Sequence, residues 1–282
     1  MTTSDSGISG QRQVRVMPKS GGYIGLWKHS RRGEVKGRAI VKILGIESAS
    51  LVASVAIVTD DIVTAEYTVD YKKTHSQTLL PMLDEIVRMT EQDLKTVDAI
   101  AVSAGPGSFT GLRIGAATAK GLGLALEKPL IHVPTVDAMA YGLQGCRWLI
   151  SPIMDARRGQ VYTGIYSFED EFEVIQENEA VAIETLLEQL ENFENEVVFL
   201  GDGVPVFRER IIDRLGSLAH FAIPACARQR AALVASLGAK YFAEGKTVPA
   251  DDFMPIYLRD SQAERVRKEK LAKADAVVVT EE

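Results

Sequence analysis

From residue 40 onward, apolar and polar positions fall into short blocks, and the period of each block names an element. Residues 40–47 (IVKILGIE) form an apolar run of the buried-strand type. Residues 52–59 (VASVAIVT) and 62–71 follow, joined by Asp60-Asp61, a tight-turn pair, so three strands in antiparallel succession open the fold. Leu79, Leu80, Leu83, Ile86 and Val87 then repeat at helical spacing behind Thr74 and Ser76, either of which can start a helix. Pro81 is tolerable only in a first turn, which predicts that the regular helix begins near Thr78. A buried strand at 98–104 (DAIAVSA) runs into a glycine-rich segment, Gly105 to Gly111, and a helix continues to Glu127. A strand at 130–133 and a helix at 135–142 complete this half.

The second half repeats the order. Strands are predicted at 148–155, 161–168 and 172–176, then a helix at 183–193, a strand at 197–201 and a helix at 205–215. A short strand near Phe221 and a helix at 227–244 follow. Acidic residues 169–179 read as a solvated hairpin and loop. Three meander strands followed by alternating helices and strands, twice over, is a duplicated mixed α/β plan. It is the plan of the actin-like ATPase fold, two ribonuclease-H-like domains facing a cleft. The expected division is 41–145 and 146–264, with a charged tail at 265–282.

Residues 1–40 lack that order. They hold eight Lys/Arg against Asp5 and Glu34, a net charge of +6, and show no sustained periodicity. A disordered basic arm, a mis-called start codon (residues 41–46, VKILGI, read like a natural beginning) and a localisation element are the three readings. The rest of the chain is acidic, at −12, and repels phosphate backbones, so contact with RNA is expected only through a basic partner. The most apolar stretch, 121–133, is broken by Glu127, Lys128 and Pro129, too short for a membrane span. Cys146 and Cys226 stand far apart without a second pair, which indicates neither a disulfide framework nor a zinc module and fits a reducing, cytoplasmic setting.

Candidate chemistry concentrates in Gly105-Pro-Gly-Ser-Phe-Thr-Gly-Leu-Arg-Ile-Gly115. Glycines at a strand-to-helix junction let backbone N–H groups approach an anion, and Gly105, Gly107 and Ser108 are the candidates for this. A tight turn with a helix cap is the plainer reading. Gly111 is followed by Leu112-Arg113, so the P-loop Gly-Lys-Ser/Thr is absent, and Thr110 stands where the Rossmann fingerprint needs its last glycine. Asp155 ends a strand beside Arg157 and Arg158, either as a vestigial nucleotide-facing carboxylate or as a structural ion pair. Gly111, Gly115, Ala119 and Gly123 recur at steps of four along one helix face. Interior glycine costs about 1 kcal/mol relative to alanine, so this stripe must be offset by close packing, either on the helix's own sheet or across a subunit contact with the 78–90 helix.

The long motif GPGSFTGLRIG resembles the signature of the TsaB (YeaZ) family. So do Ile46-Glu47-Ser48, His75 to Pro81 (HSQTLLP), Met154 to Tyr162 (MDARRGQVY), Gly201-Asp202-Gly203 and Pro255 to Arg259 (PIYLR). The family has Asp-Thr or Asp-Ser where Glu47-Ser48 stands. The resemblance implies a subunit that performs no chemistry and needs no cofactor or metal. Its expected task is to bind and position a TsaD-like catalytic subunit that makes threonylcarbamoyladenosine beside the tRNA anticodon. A TsaE-like ATPase would join the complex, and tRNA would be met only there. The family's helix pairing, with itself or with TsaD, puts Leu79, Leu83, Ile86, Gly111, Gly115, Ala119 and Gly123 at the interface. The related TsaD carries a His-x-x-x-His metal pair at the positions held here by Thr135 and Met139, neither a plausible ligand. Two further functions remain open at this point: a nucleotide-dependent enzyme using Glu47, Asp155 and the glycine loop, and a metallopeptidase, which the absence of any histidine pair opposes.

Overall fold

The computed structural model describes residues 40–71, 73–168 and 171–259. The expectations for residues 1–39 and for the charged tail lie outside the described residues. Strands β1 (Lys42–Glu47), β2 (Val52–Thr59) and β3 (Ile62–Asp70) lead into helix α1 (His75–Thr90). Strand β4 (Ala99–Gly105), helix α2 (Phe109–Leu126), strand β5 (Leu130–Pro134) and helix α3 (Thr135–Tyr141) follow. The second half comprises β6 (Leu149–Arg157), β7 (Gln160–Ser167), β8 (Glu173–Ala182), α4 (Ile183–Glu191), β9 (Val197–Leu200), α5 (Val204–Leu215), β10 (Ala219–Phe221) and α6 (Ala231–Ala243). The first sheet has the order β3-β2-β1-β4-β5 and the second β10-β9-β6-β7-β8, the same order in both halves. In each, the first strand pairs antiparallel with the second and parallel with the fourth strand of its half. This is the duplicated mixed-sheet plan of the actin-like fold.

α1 and α2 cover one face of the first sheet, where Leu79, Leu83, Ile86, Ala116 and Ala119 join Leu44, Ile46, Val55 and Val102 in one core. On the second sheet, α4 and α5 cover the outer face through Leu186, Leu190, Phe207 and Ile211. α3 lies against the inner face, with Val136 and Met139 packed on Ile150 and Met154. Asp137 fixes that contact: its carboxylate accepts from Tyr166 Oη at 2.7 Å and from Asn178 Nδ2 at 2.9 Å. Burial pushes the Asp137 carboxyl up from its ordinary value, against the two hydrogen bonds.

Three expectations need correction. α1 begins at His75 and runs through Pro81. The ring removes one backbone hydrogen bond, but the buried Leu79, Met82, Leu83 and Ile86 hold the helix, and His75 Nε2 pins its first turn to Ser50 O at 2.8 Å. The acidic stretch is not a solvated loop throughout, because β8 extends to Ala182 as an edge strand on β7, where Glu and Gln side chains are acceptable. Finally, α6 lies on β1, β2 and β4 of the first sheet, although its sequence position falls within 146–264. Gly45 and Gly238 allow the approach: a Cβ on Gly45 would stand 2.3 Å from Ala231 O, and one on Gly238 2.5 Å from Ala101 Cβ. Distant strands cap this helix, since Ala231 N donates to Ser54 Oγ and Ala232 N to Glu66 Oε1, each at 3.0 Å.

Candidate functional site

Duplicated sheets of this kind carry their functional groups at the carboxyl ends of the central strands. Glu47 ends β1, Gly105 ends β4, Asp155 lies at the end of β6, and Asp202 follows β9. Glu47 is only 1% exposed, and its Oε1 accepts from Ala49 N at 2.6 Å. Burial pushes its carboxyl up to about 7, with hydrogen bonds from Ala49 and Ser103 working against the shift and the Asp202 charge adding to it. Burial likewise raises Asp202, whose Oδ1 has no hydrogen-bond partner. The Asp202 charge therefore disfavours ionisation of Glu47, and the Asp155 charge adds to the burial that raises Asp202. Asp155 is held differently, accepting from Arg157 N at 2.8 Å and pairing with the Arg157 guanidinium at 3.0 Å, the ion-pair geometry.

The glycine loop is filled by the chain itself. Ser108 N donates to Ala49 O at 2.7 Å, and Ile256 N donates to Ala104 O at 2.7 Å. Gly105 sits at φ +116°, and a Cβ there would stand 2.3 Å from Ile256 O. A Cβ on Gly107 would stand 2.3 Å from Ala49 O. Ser108 Oγ accepts from Gly111 N at 3.4 Å, capping α2. Gly105 and Gly107 thus admit neighbouring backbone close to the loop, and Ser108 caps the helix that follows.

The small-residue stripe is used in the same way. Gly111 and Gly115 face Ser48, whose O and Oγ would each lie 2.1 Å from an added Cβ, and Gly123 faces Ala250. Ala119, Leu79, Leu83 and Ile86 are all in the core. The seven residues expected at a subunit contact are thus buried within the chain. The outer faces of α1 and α2 instead expose Leu80 (53%) and Leu124 (54%), with Ala117 and Gly121 also exposed. Gly121 has open space around it.

Thr135 and Met139 are also core residues, at 0% and 1% exposure. Among the described residues no group of three or more His, Cys, Asp or Glu could hold a metal ion. Purified protein is expected to carry no stoichiometric metal at the Thr135/Met139 position. Elemental analysis checks this, and one bound equivalent that is lost in Thr135→Val would refute it.

Sequence reasoning gave no role to residues 250–259, which form a strap across the glycine loop. Lys120 Nζ donates to Asp251 O at 2.8 Å, His132 Nε2 contacts Met254 O at 3.0 Å, and Tyr257 stacks on Phe109 with centroids 4.5 Å apart. Arg259 Nη1 then reaches Ala156 O at 2.5 Å, tying the strap to the second sheet. The PIYLR motif was the available signal, but its contacts are all long-range.

Residues 63–266 match the family described as TsaD: tRNA N6-adenosine threonylcarbamoyltransferase. With the duplicated sheets, this defines an actin-like-fold protein related to that family. The TsaB protein of Bacillus subtilis (strain 168) is 33% identical over 223 residues, 79% of this chain and 96% of that relative. The TsaB protein of Escherichia coli (strain K12) is 33% identical over 234 residues, again 79% of this chain and 96% of the relative. The solved structure of YeaZ from Pseudomonas aeruginosa superposes with a TM-score of 0.64 at 26% identity, covering 77% of this chain and all of that one. The chain belongs to the TsaB family, whose named members serve tRNA threonylcarbamoyladenosine biosynthesis. No helix among the described residues is long and apolar enough to cross a membrane.

Proposed function

We propose that this chain is a non-catalytic subunit that binds and positions a TsaD-like catalytic subunit during threonylcarbamoyladenosine synthesis. The observation that carries this reading is the replacement of the TsaD-type imidazole pair by Thr135 and Met139, both sealed in the core of a fold that otherwise matches the family. The close packing of the glycine loop supports it as well, since Ser108 N, one of the loop amides that could have met a phosphate, donates to Ala49 O of the chain itself. A TsaE-like ATPase joins the complex in this reading, and the setting is cytoplasmic.

The docking surface is the outer face of α1 and α2, around Leu80, Ala117, Gly121 and Leu124. Small residues at 117 and 121 let a partner helix come close, and the two leucines supply apolar area at its rim. The same surface would serve a homodimer. The test is a Leu80→Asp/Leu124→Asp double variant, co-purified with the catalytic subunit and assayed for tRNA modification. Exposed positions predict a thermal midpoint within a few degrees of the parent, association weakened by at least about a hundredfold, and a corresponding loss of modification. Undiminished association would remove this surface from the reading.

A further inference from the structure

The strap brings an aromatic pair and several exposed arginines together. Arg113, on the first turns of α2, is exposed, and its Nε donates to Tyr257 Oη at 3.2 Å. Its guanidinium lies 5.9 Å from the Phe109 centroid and 5.8 Å from that of Tyr257. Two residues along the strap, Arg259 grips Ala156 O. That carbonyl lies beside the β6–β7 turn, where Arg157 and Arg158 are both exposed. The strap therefore links an aromatic pair and Arg113 at one end to Arg157 and Arg158 at the other, with Arg259 clamping it beside their turn.

The turn itself is unusual in its residues. Arg157, Arg158 and Gly159 have φ values of +67°, +57° and +75°. Turns of this handedness favour Asn and Gly, and arginine adopts them at a conformational cost. The β6–β7 register shifts between Asp155 and Arg157, an irregularity of the kind a bulge makes. Arg158 has no ion-pair partner among the described residues, and Arg157 meets Asp155 while its side chain stays 85% exposed. The chain from residue 41 onward is strongly acidic, so a cationic, aromatic strip stands out against it.

We propose that this strip is an RNA-binding surface: Arg113, Arg157 and Arg158 contact backbone phosphates, and the Phe109–Tyr257 pair stacks an unpaired base. Guanidinium groups suit phosphate geometry, and aromatic faces accept bases of any sequence. Such a strip adds a direct contact to tRNA inside the complex, and in that setting it rests on the partner-subunit reading. The acidic remainder of the chain explains why the contact would be weak outside the complex.

The test compares the full-length parent with Arg157→Glu/Arg158→Glu, whose changes sit on an exposed turn. Labelled unmodified tRNA is titrated by fluorescence anisotropy at about 50 mM salt and upward. The expected result is binding at least about tenfold weaker, with the log–log salt slope reduced by about 2 for two lost phosphate contacts. Equal affinity and slope overturn the proposal, whatever becomes of the partner reading. In the reconstituted complex the same variant should raise the KM for tRNA with kcat and subunit association unchanged. Loss of association with tRNA binding intact would mean that the strip meets an acidic protein surface, and that too overturns it. Tyr257→Ala, checked by thermal melt, should weaken tRNA binding without altering the salt slope, since a stacking contact releases no counterions.

Discussion

Gly111→Ala is expected to lower the thermal midpoint by roughly 4–8 °C, whereas Gly121→Ala in the same helix should raise it slightly. Helix propensity favours alanine equally at both positions, by about 1 kcal/mol. Tertiary contact separates them. At Gly111 the new methyl would lie 2.1 Å from Ser48 O, a backbone atom, so β1's end or the helix must move. Ser48 has little freedom to yield: it is fully buried, its Oγ donates to Gly111 O at 3.0 Å, and its N donates to Ser103 Oγ at 3.3 Å. Overpacking of this kind costs about 3 kcal/mol, a net loss of about 2 kcal/mol once the propensity gain is subtracted, and each kcal/mol shifts the midpoint by roughly 2–4 °C in a chain of this size. Nothing lies within 4 Å of a Cβ on Gly121. Thermal melts of the two variants decide the matter, and equal midpoints would mean that the stripe is not packed as described.

Glu47→Gln should stabilise the protein at pH 8 and leave it nearly unchanged at pH 4.5. The buried carboxyl is raised from 4.5 to about 7, so the native state holds a proton that the unfolded state has released between those values. Stability therefore falls as pH rises through that window and stays lower above it. The full difference corresponds to about 3 kcal/mol, an upper bound because relaxation and water entry reduce it. Glutamine keeps an acceptor for Ala49 N but carries no charge, so the variant's midpoint should lose most of this slope and exceed the parent's at pH 8 by several degrees. Asp137 and Asp202, both raised by burial, contribute in the same direction, which leaves a residual slope in the variant. Parallel pH profiles for parent and variant would show that Glu47 does not hold a proton in the folded state.

The order of strands and helices was legible in the sequence because periodicity is a local property. Each apolar block carries its own period, and the repeat of three strands followed by alternating elements needs no knowledge of what packs where. The motif that marks the family is also local, and so is the loss of the imidazole pair at Thr135 and Met139. Where the local rule and the packing disagreed, packing prevailed: Pro81 sits within α1 because four buried side chains outweigh one missing hydrogen bond.

What each feature touches was decided only in three dimensions. Glycines in the loop and along α2 carry the same sequence signal whether they admit a phosphate, a partner helix or the chain's own backbone. The structure puts Ser48, Ala49 and Ile256 against them, residues up to 151 positions away from the loop's first glycine. Glu47 reads as an ordinary strand-end carboxylate until the surrounding core removes its water and the Asp202 charge adds to the shift. α6 joins the first sheet because Ser54 and Glu66 satisfy its first-turn amides and Gly45 and Gly238 make room for it. The sequence by itself determined the elements, their duplication and the family; the tertiary structure decided which atoms face one another, since steric fit, desolvation and charge proximity depend on distances that chain order does not encode.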